Sequence, residues 1–365
     1  MNQQATTFQR KESLKPPVTQ VGVLAWVRQN LFSTWYNSVL TVLTLFVLWK
    51  VVPAMVKWAF IDSLWASSSE ACREIDGACW SIIPANIKFI LFGFFPDGQH
   101  WRPITAIILL LALVFYSKDS KHWKKSLAII WPIGLVVMGT LMYGGVFGMP
   151  VVETAQWSGL PLTLMLSLFG MVAAYPLGIL LALGRRSRMP AIKSLCVIYI
   201  ELIRGVPLIS LLFMSSVMFP LFLPEGVTID KILRAQVAII MFTAAYIAEV
   251  VRGGLQAMPK GQYEAADSLG LNYGKAMRLI ILPQALKIVI PPSVGILISA
   301  FKDTSLVVII ALYDVLKTTQ TTLSNPKWMG FSTEAYIFLA LLYFVCCYAM
   351  SSYSRKLEKA LDTGR

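Results

Sequence analysis

Apolar residues gather in eight runs along the chain, at 37–58, 103–116, 127–146, 160–183, 192–218, 232–251, 286–312 and 331–351. A bilayer's hydrocarbon core takes about 20 apolar residues per helix, so most of these runs are long enough to cross it. The run at 103–116 is the weakest. It falls short of a full crossing, and the apolar piece 82–95 just before it reads as re-entrant or interfacial. No run alternates with the period of two that a barrel needs, and a spanning segment must satisfy its own backbone, so helices are expected throughout. The fold class is an all-α, polytopic membrane protein.

Composition sharpens this picture. The chain is 56% hydrophobic and 14% charged, which excludes an ordinary soluble domain and a disordered one. Its net charge of +13 points to nucleic acid or to a membrane surface, and the location of the positive residues decides between them. Arg10, Lys11, Lys15 and Arg28 precede the first run. Lys118, Lys121, Lys124 and Lys125, then Arg185, Arg186, Arg188 and Lys193, occupy alternate links. Arg252, Lys260, Lys275, Arg278 and Lys287 follow, and Arg355, Lys356, Lys359 and Arg365 end the chain. The intervening links hold far fewer, among them Arg73, Lys88, Arg102, Lys231, Lys317 and Lys327. Positive residues stay on the cytoplasmic side, so both termini are expected inside and no nucleic acid partner is expected. The outer link 59–102 is long and carries Asp62, Glu70, Glu74 and Asp76 with Trp65, Trp80 and Trp101. A Pro/Gly-containing link near 148–159 suggests a boundary between accessory residues 1–154 and a five-helix core at 155–365. The first 20 residues lack the pattern of a cleaved signal.

The inventory for catalysis is thin. His100 and His122 fall on opposite sides of the membrane, so no shared metal site is expected. Cys72 and Cys79 lie in the outer link, where they either bridge a small loop or remain two free thiols. Cys196, Cys346 and Cys347 fall within helices as small fillers. The segment 270–276, GLNYGKA, is one residue short of a phosphate-binding loop and lacks its hydroxyl. The chain therefore needs no cofactor of its own and is not expected to be an enzyme.

The link 259–285, PKGQYEAADSLGLNYGKAMRLIILPQA, is too polar at its start to span and too patterned to be a bare linker. Ala265, Ala266 and Leu269 are expected on one face of a short helix, with Gly270 as its left-handed stop and Asn272 capping the next. The second piece is expected to end or kink at Pro283. Small alanines let a partner groove approach closely, while Glu264 and Arg278 can fix its register. An interfacial helix lying on lipid is the plainer reading.

These residues resemble a known family. Glu264-Ala265-Ala266, three residues, Gly270, nine residues, Ile280, one residue and Leu282-Pro283 match the EAA loop of ATP-binding-cassette (ABC) importer permeases. The core is also similar to the polar amino-acid branch of that family, with ELIRGVPLISLLF at 201–213, AYIAEVVRGGL at 245–255 and KDTSLV at 302–307. Three extra N-terminal helices, with CREIDGACW at 72–80 and WRP at 101–103, resemble the larger permease subunit of general L-amino-acid importers. The resemblance implies a type I importer fold in a bacterial inner membrane. It implies as partners a second, homologous permease subunit, an ABC ATPase dimer that binds ATP and Mg, and an extracytoplasmic amino-acid-binding protein. The loop residues Glu264, Ala265, Ala266, Gly270, Arg278, Leu282 and Pro283 would then couple to the ATPase.

Ionisable groups inside spanning helices cost at least ~2.5 kcal/mol each on insertion scales, so they mark a path or a partner. Glu201 and Arg204, one turn apart near mid-membrane with Pro207 beyond, form either a polar patch that touches or gates an amino acid, or a structural ion pair. Lys302, Asp303, Thr304 and Ser305 supply an acceptor for an ammonium, a donor for a carboxylate, and hydroxyls. Lys302 and Asp303 point about 100° apart, so one is expected to face the path and the other a neighbouring helix. Glu249 and Arg252, at the inner end of their helix, are expected to hold the coupling loop. The function expected is the permease subunit of an ATP-driven L-amino-acid importer. The alternatives are an ion-gradient-driven secondary transporter and a membrane scaffold or sensor.

Overall fold

The computed structural model describes residues 22–117, 122 and 126–361. Arg10, Lys11, Lys15, Lys118, Lys121, Lys124, Lys125 and Arg365, used above for orientation, lie outside the described residues. Two compact units result, Met1–Trp80 and Ser81–Arg365, so the division expected near residue 155 falls inside the second.

The first unit holds α1 (Val23–Asn30) and α2 (Trp35–Val56), the latter prolonged by a wide turn over Lys57–Ile61. Thr34 caps α2 by accepting from the amide of Asn37 at 3.4 Å. Among the described residues α2 buries no side chain, as suits an apolar helix facing lipid. Beyond it, Trp80 donates from its indole to the Ala59 carbonyl at 2.7 Å and packs against Trp58 and Trp65. Cys72 and Cys79 are joined by a disulfide.

The second unit runs through α3 (Ile82–Phe92), α4 (Trp101–Ser117), α5 (Leu127–Tyr143), α6 (Gly159–Arg185), α7 (Pro190–Gly205), α8 (Leu208–Phe213) and α9 (Lys231–Ala257). It continues with α10 (Lys260–Ser268), α11 (Tyr273–Ala276), α12 (Leu282–Asp303), α13 (Val315–Leu323) and α14 (Ser332–Leu361). Among the described residues five helical stretches are long and apolar enough to cross a membrane, or six when the bent pair α7–α8 counts as one. The other two expected crossings correspond to α4 and α5, each 17 residues and so about 26 Å long, slightly under the hydrocarbon thickness.

The centre of this unit is α6 against α9. Gly170, Ala174, Gly178 and Ala182 recur every fourth residue on the buried face of α6, and Ile239 and Ile247 of α9 press into that stripe. Small residues in this register let two helices approach closely where lipid provides no hydrophobic drive. A β-carbon at Gly178 would sit 2.9 Å from the Ala244 carbonyl oxygen.

Two expectations change. The run 192–218 is not one helix: α7 and the helical stretch Leu208–Phe222 meet at 105°. Pro207 has no N–H to donate and pushes Val206 into an extended conformation, φ −107° and ψ 133°, which ends α7 at Gly205. Pro283 does not end the second piece of the 259–285 link either. A wide turn at Met277–Ile281 carries α11 into α12, and Pro283 sits in the first turn of α12, where a missing donor costs least.

The apolar piece 82–95 is a core element. Ile90 of α3 is buried with Val315 and Leu339, and Thr318 donates to the Ile90 carbonyl at 2.7 Å. Gly159 has φ +69°, and a β-carbon there would lie 2.2 Å from the Leu91 carbonyl oxygen, so this close approach requires glycine. Its amide donates to Tyr313 at 2.7 Å, and Ser158 bridges the Phe92 carbonyl and the Phe94 amide. Arg102, fully buried, donates to the carbonyls of Leu141, Met142 and Pro150, satisfying the C-terminus of α5.

Asp314 caps α13 through the Lys317 amide at 2.9 Å and is fully buried, outside the membrane-spanning stretches. Burial pushes its pKa up to about 6 from 3.8, against the smaller opposing effect of the backbone amides that it accepts. The folded state therefore holds this proton more tightly than the unfolded one, and the stability it contributes is lost as pH rises from about 4 through about 6. Asp314→Asn keeps the cap and removes the titration. The variant should gain stability relative to the parent as pH rises across that window, read as unfolding temperatures of both purified proteins in detergent. Parallel temperature profiles would refute the assignment.

Candidate functional site

Five charged side chains from α6, α7 and α9 meet in one cluster. Glu249 accepts from Arg185 at 3.3 Å and pairs with Arg204 at 3.4 Å. It also accepts from Arg252, one turn along the same helix. Arg185 pairs with Glu201 at 2.8 Å. Glu201 and Arg204, whose spacing of one turn would allow them to pair, instead take different partners. Both lie in the last turns of α7 before the break, and Glu249 offers Arg204 a better shielded carboxylate, 23% exposed against 54% for Glu201. Three arginines face two carboxylates, so the cluster keeps one excess positive charge.

Glu249 and Arg252 thus belong to this cluster, and their ion pairs do not reach the 259–285 link. Arg186 does that work. Its guanidinium donates to the Leu255 carbonyl and the Tyr263 hydroxyl, at 3.2 and 3.1 Å, and lies over the Tyr263 ring. Gln284 donates to Gln262 at 3.0 Å, tying α12 to α10. Ala266 is buried against the bundle, whereas Ala265 and Leu269 face outward, so the three do not share a face as expected. Ala265 and Leu269, four residues apart, form the outer ridge with Glu264 and Gly270 exposed beside them. Gly270 has φ +70° and no neighbour within 4 Å, so backbone conformation alone selects glycine there. Asn272 then caps α11 through the Lys275 amide at 3.0 Å. Arg278 is exposed, and Leu282 and Pro283 open α12 behind it.

Between α9 and α12 lies an open cleft of about 400 Å³, lined among others by Thr243, Tyr246, Ser299 and Asp303. Asp303 faces it, while Lys302 is exposed elsewhere on α12. Thr304 is buried and donates to the Phe301 carbonyl, and Ser305 donates to the Lys302 carbonyl. Neither hydroxyl lines the cleft. The Tyr246 ring does, and the Arg204 guanidinium sits 5.6 Å from its centroid. A carboxylate, hydroxyls and an aromatic face next to an arginine suit a small zwitterion. Pro207 lies outside the cleft, at the α7–α8 break. Among the described residues no group of three or more His, Cys, Asp or Glu side chains is placed to hold a metal ion.

The sequence reading missed Arg185 and Arg186, counted there only as orientation signals, and Tyr246. The spacing held a signal for Tyr246, which lies three residues before Glu249 on one face of α9. Arg185 had no such signal, because its partners come from other helices.

Residues 174–363 match the family of binding-protein-dependent transport system inner membrane components. The chain is 49% identical over 344 residues to the Escherichia coli K12 inner membrane amino-acid ABC transporter permease protein YhdY, covering 94% of each. It is 39% identical to the glutamate/glutamine/aspartate/asparagine transport system permease protein BztC of Rhodobacter capsulatus, over 98% of each. The solved structure of an amino acid ABC transporter with histidines contains a similar chain, 32% identical with a TM-score of 0.50, covering 55% of this chain and 92% of that one. This chain therefore belongs to the binding-protein-dependent transport system inner membrane component family, and its fold is that of an ABC importer permease.

Glu249→Gln leaves Arg204 and Arg252 without their carboxylate and should lower stability by about 1–3 kcal/mol, while Glu249→Asp should recover part of it. Thermal unfolding of the purified protein checks this. Equal unfolding temperatures for all three would show that Glu249 is not the hub.

Proposed function

We propose that this chain is the membrane-spanning permease subunit of an L-amino-acid importer driven by ATP, with its core at 155–365 and an accessory part at 1–154. One observation carries the reading. A compact helical knob, α10 with its C-terminal turn, presents Ala265, Leu269 and Gly270 outward and is tied by Arg186 to the ends of α6 and α9 and by Gln262 to α12. Such a knob transmits a push or pull from a partner to α6, α9 and α12 together. The names of the two relatives, both amino-acid permeases, support the substrate class, and 94% coverage of one of them supports the same role over nearly the whole chain. A solved permease chain covered to 92% by 55% of this one supports a self-sufficient core with an added N-terminal part.

The partner at the knob is a pair of ABC ATPase subunits, which bind ATP and Mg. A binding protein delivers the amino acid from the outer face, and both termini lie in the cytoplasm, in line with the distribution of Lys and Arg. The α9–α12 cleft is open on one side, as half of a path would be, and a second, homologous permease subunit supplies the other half. Within the cleft Asp303 takes the substrate ammonium, and Arg204 beyond Tyr246 attracts its carboxylate. The cluster around Glu249 closes the inner end, and Glu201 and Arg204, being on α7, move with the break at Pro207. Alternating access follows when ATP closes the ATPase pair and shifts both knobs.

In proteoliposomes holding the whole complex, uptake of labelled amino acids should require ATP and the binding protein and should survive an uncoupler. Asp303→Asn should cut uptake by roughly tenfold or more with assembly intact, consistent with loss of one charge-assisted contact. Uptake at the parental rate would remove Asp303 from the path. Gly270→Leu forces a β-carbon into the left-handed region and should uncouple transport without changing affinity for the loaded binding protein, while Gly270→Asn, which tolerates that region, should keep most activity. Normal transport by the leucine variant would deny the knob its coupling role.

A further inference from the structure

A second cleft, of about 540 Å³, opens beside the knob between the α6–α7 turn and the α11–α12 junction. Its rim carries Arg186, Arg188 and Arg278, and none of its lining residues is acidic. Among the described residues no ion pair involves any of these three arginines. Arg186 spends part of its guanidinium on Leu255 and Tyr263, and Arg188 and Arg278 are exposed from opposite walls. The floor is apolar, with Leu183, Met277 and Leu282.

The apolar surface does not stop at the cleft. Ile192 lines it at 40% exposure, and Leu195, Ile198 and Leu202 continue up α7 at 69%, 61% and 58%. These residues follow one another at three- and four-residue steps, so they form one stripe along a helix in the membrane-spanning part of the chain. A positive rim at the end of such a stripe has the shape of an amphiphile. A soluble anion or the acidic face of a protein would use the arginines and leave the stripe without purpose.

We propose that this cleft binds one anionic phospholipid, its phosphate held between Arg188 and Arg278 and an acyl chain laid along Ile192, Leu195, Ile198 and Leu202 of α7. Basic pockets between helices at a membrane face recognise such headgroups through charge-assisted hydrogen bonds. The bound phosphate would pin the α6–α7 turn to the base of α12, and Arg186, which shares the rim, is the residue that holds α10. Lipid occupancy thus bears on the joint that carries the knob. The site rests on α7 lying in the bilayer, and not on the substrate or on ATP coupling.

The full-length chain, purified with the subunits it retains, is titrated with phosphatidylglycerol, with phosphatidylcholine of the same acyl chains, or with sodium phosphate. Bound lipid is counted by native mass spectrometry without nucleotide or substrate. Phosphatidylglycerol should bind at least roughly tenfold more tightly than phosphatidylcholine at one site. Arg188→Gln with Arg278→Gln should abolish that preference, and Arg188→Lys with Arg278→Lys should keep most of it. Equal retention of both lipids, or an unchanged preference in the glutamine variant, overturns the proposal. Displacement of the lipid by millimolar sodium phosphate reassigns the site to a free anion. Loss of a copurifying subunit in the glutamine variant, with no lipid preference in the parent, reassigns it to a protein contact. Because nothing is transported in this measurement, its failure leaves the import reading intact, and failed uptake leaves the lipid site intact.

Discussion

Glu249 is the acceptor on which three helices converge. Arg185 closes α6, Arg204 closes α7 and Arg252 lies one turn further along α9; without that carboxylate Arg204 and Arg252 lose their ion pair and Arg185 keeps only Glu201. Glu249 thus joins α7, just before its break at Pro207, to both α6 and α9. A charge cluster suits this place better than a hydrophobic plug. It holds its geometry when dry, and it can be solvated in stages if the helices part.

The small-residue stripe of α6 divides the labour. α6 and α9 pack closely through that stripe, whereas α9 and α12 pack closely where Gly254 meets Val289 and the Ala285 carbonyl and part around the cleft lined by Asp303, Tyr246 and Thr243. The wide turn at Met277–Ile281, which departs from regular helical bonding, lies at the packed end of α12, with Met277 and Ile281 in the core shared with α9. The knob is tied to both sides, by Arg186 and Tyr263 to the end of α9 and by Gln262 to α12.

Much of this was legible in the sequence, and the misses have physical causes. Run length and loop charge reveal spanning helices because the bilayer imposes one solution on every backbone. Gly270 and Asn272 announced their turn and cap, since both act within a few residues of themselves. Asp303 lines the cleft and Lys302 does not, as their angular separation requires, but Lys302 is exposed rather than turned to a neighbouring helix, which one helix's geometry could not reveal. The pairing of Glu201 with Arg185, across two helices, was invisible to a rule that searches one helix for partners. The run 192–218 reads as one crossing, yet Pro207, by forcing Val206 out of the helical region, ends α7 within it. The inward turn of Ala266 away from Ala265 and Leu269 depends on where the bundle lies, which a helical wheel does not contain.

One end of the bundle is built from three distant pieces, residues 90–93, 158–159 and 313–318, held by bonds such as Gly159 to Tyr313 and Thr318 to Ile90. During synthesis the first two pieces emerge long before the third. Until the ribosome has released residue 318, the end of the bundle has no lid, and the Gly159 amide and the Ile90 carbonyl must be satisfied by water or headgroups. This end of the bundle is therefore closed last, from the C-terminal quarter, and a chain truncated before α13 leaves it open.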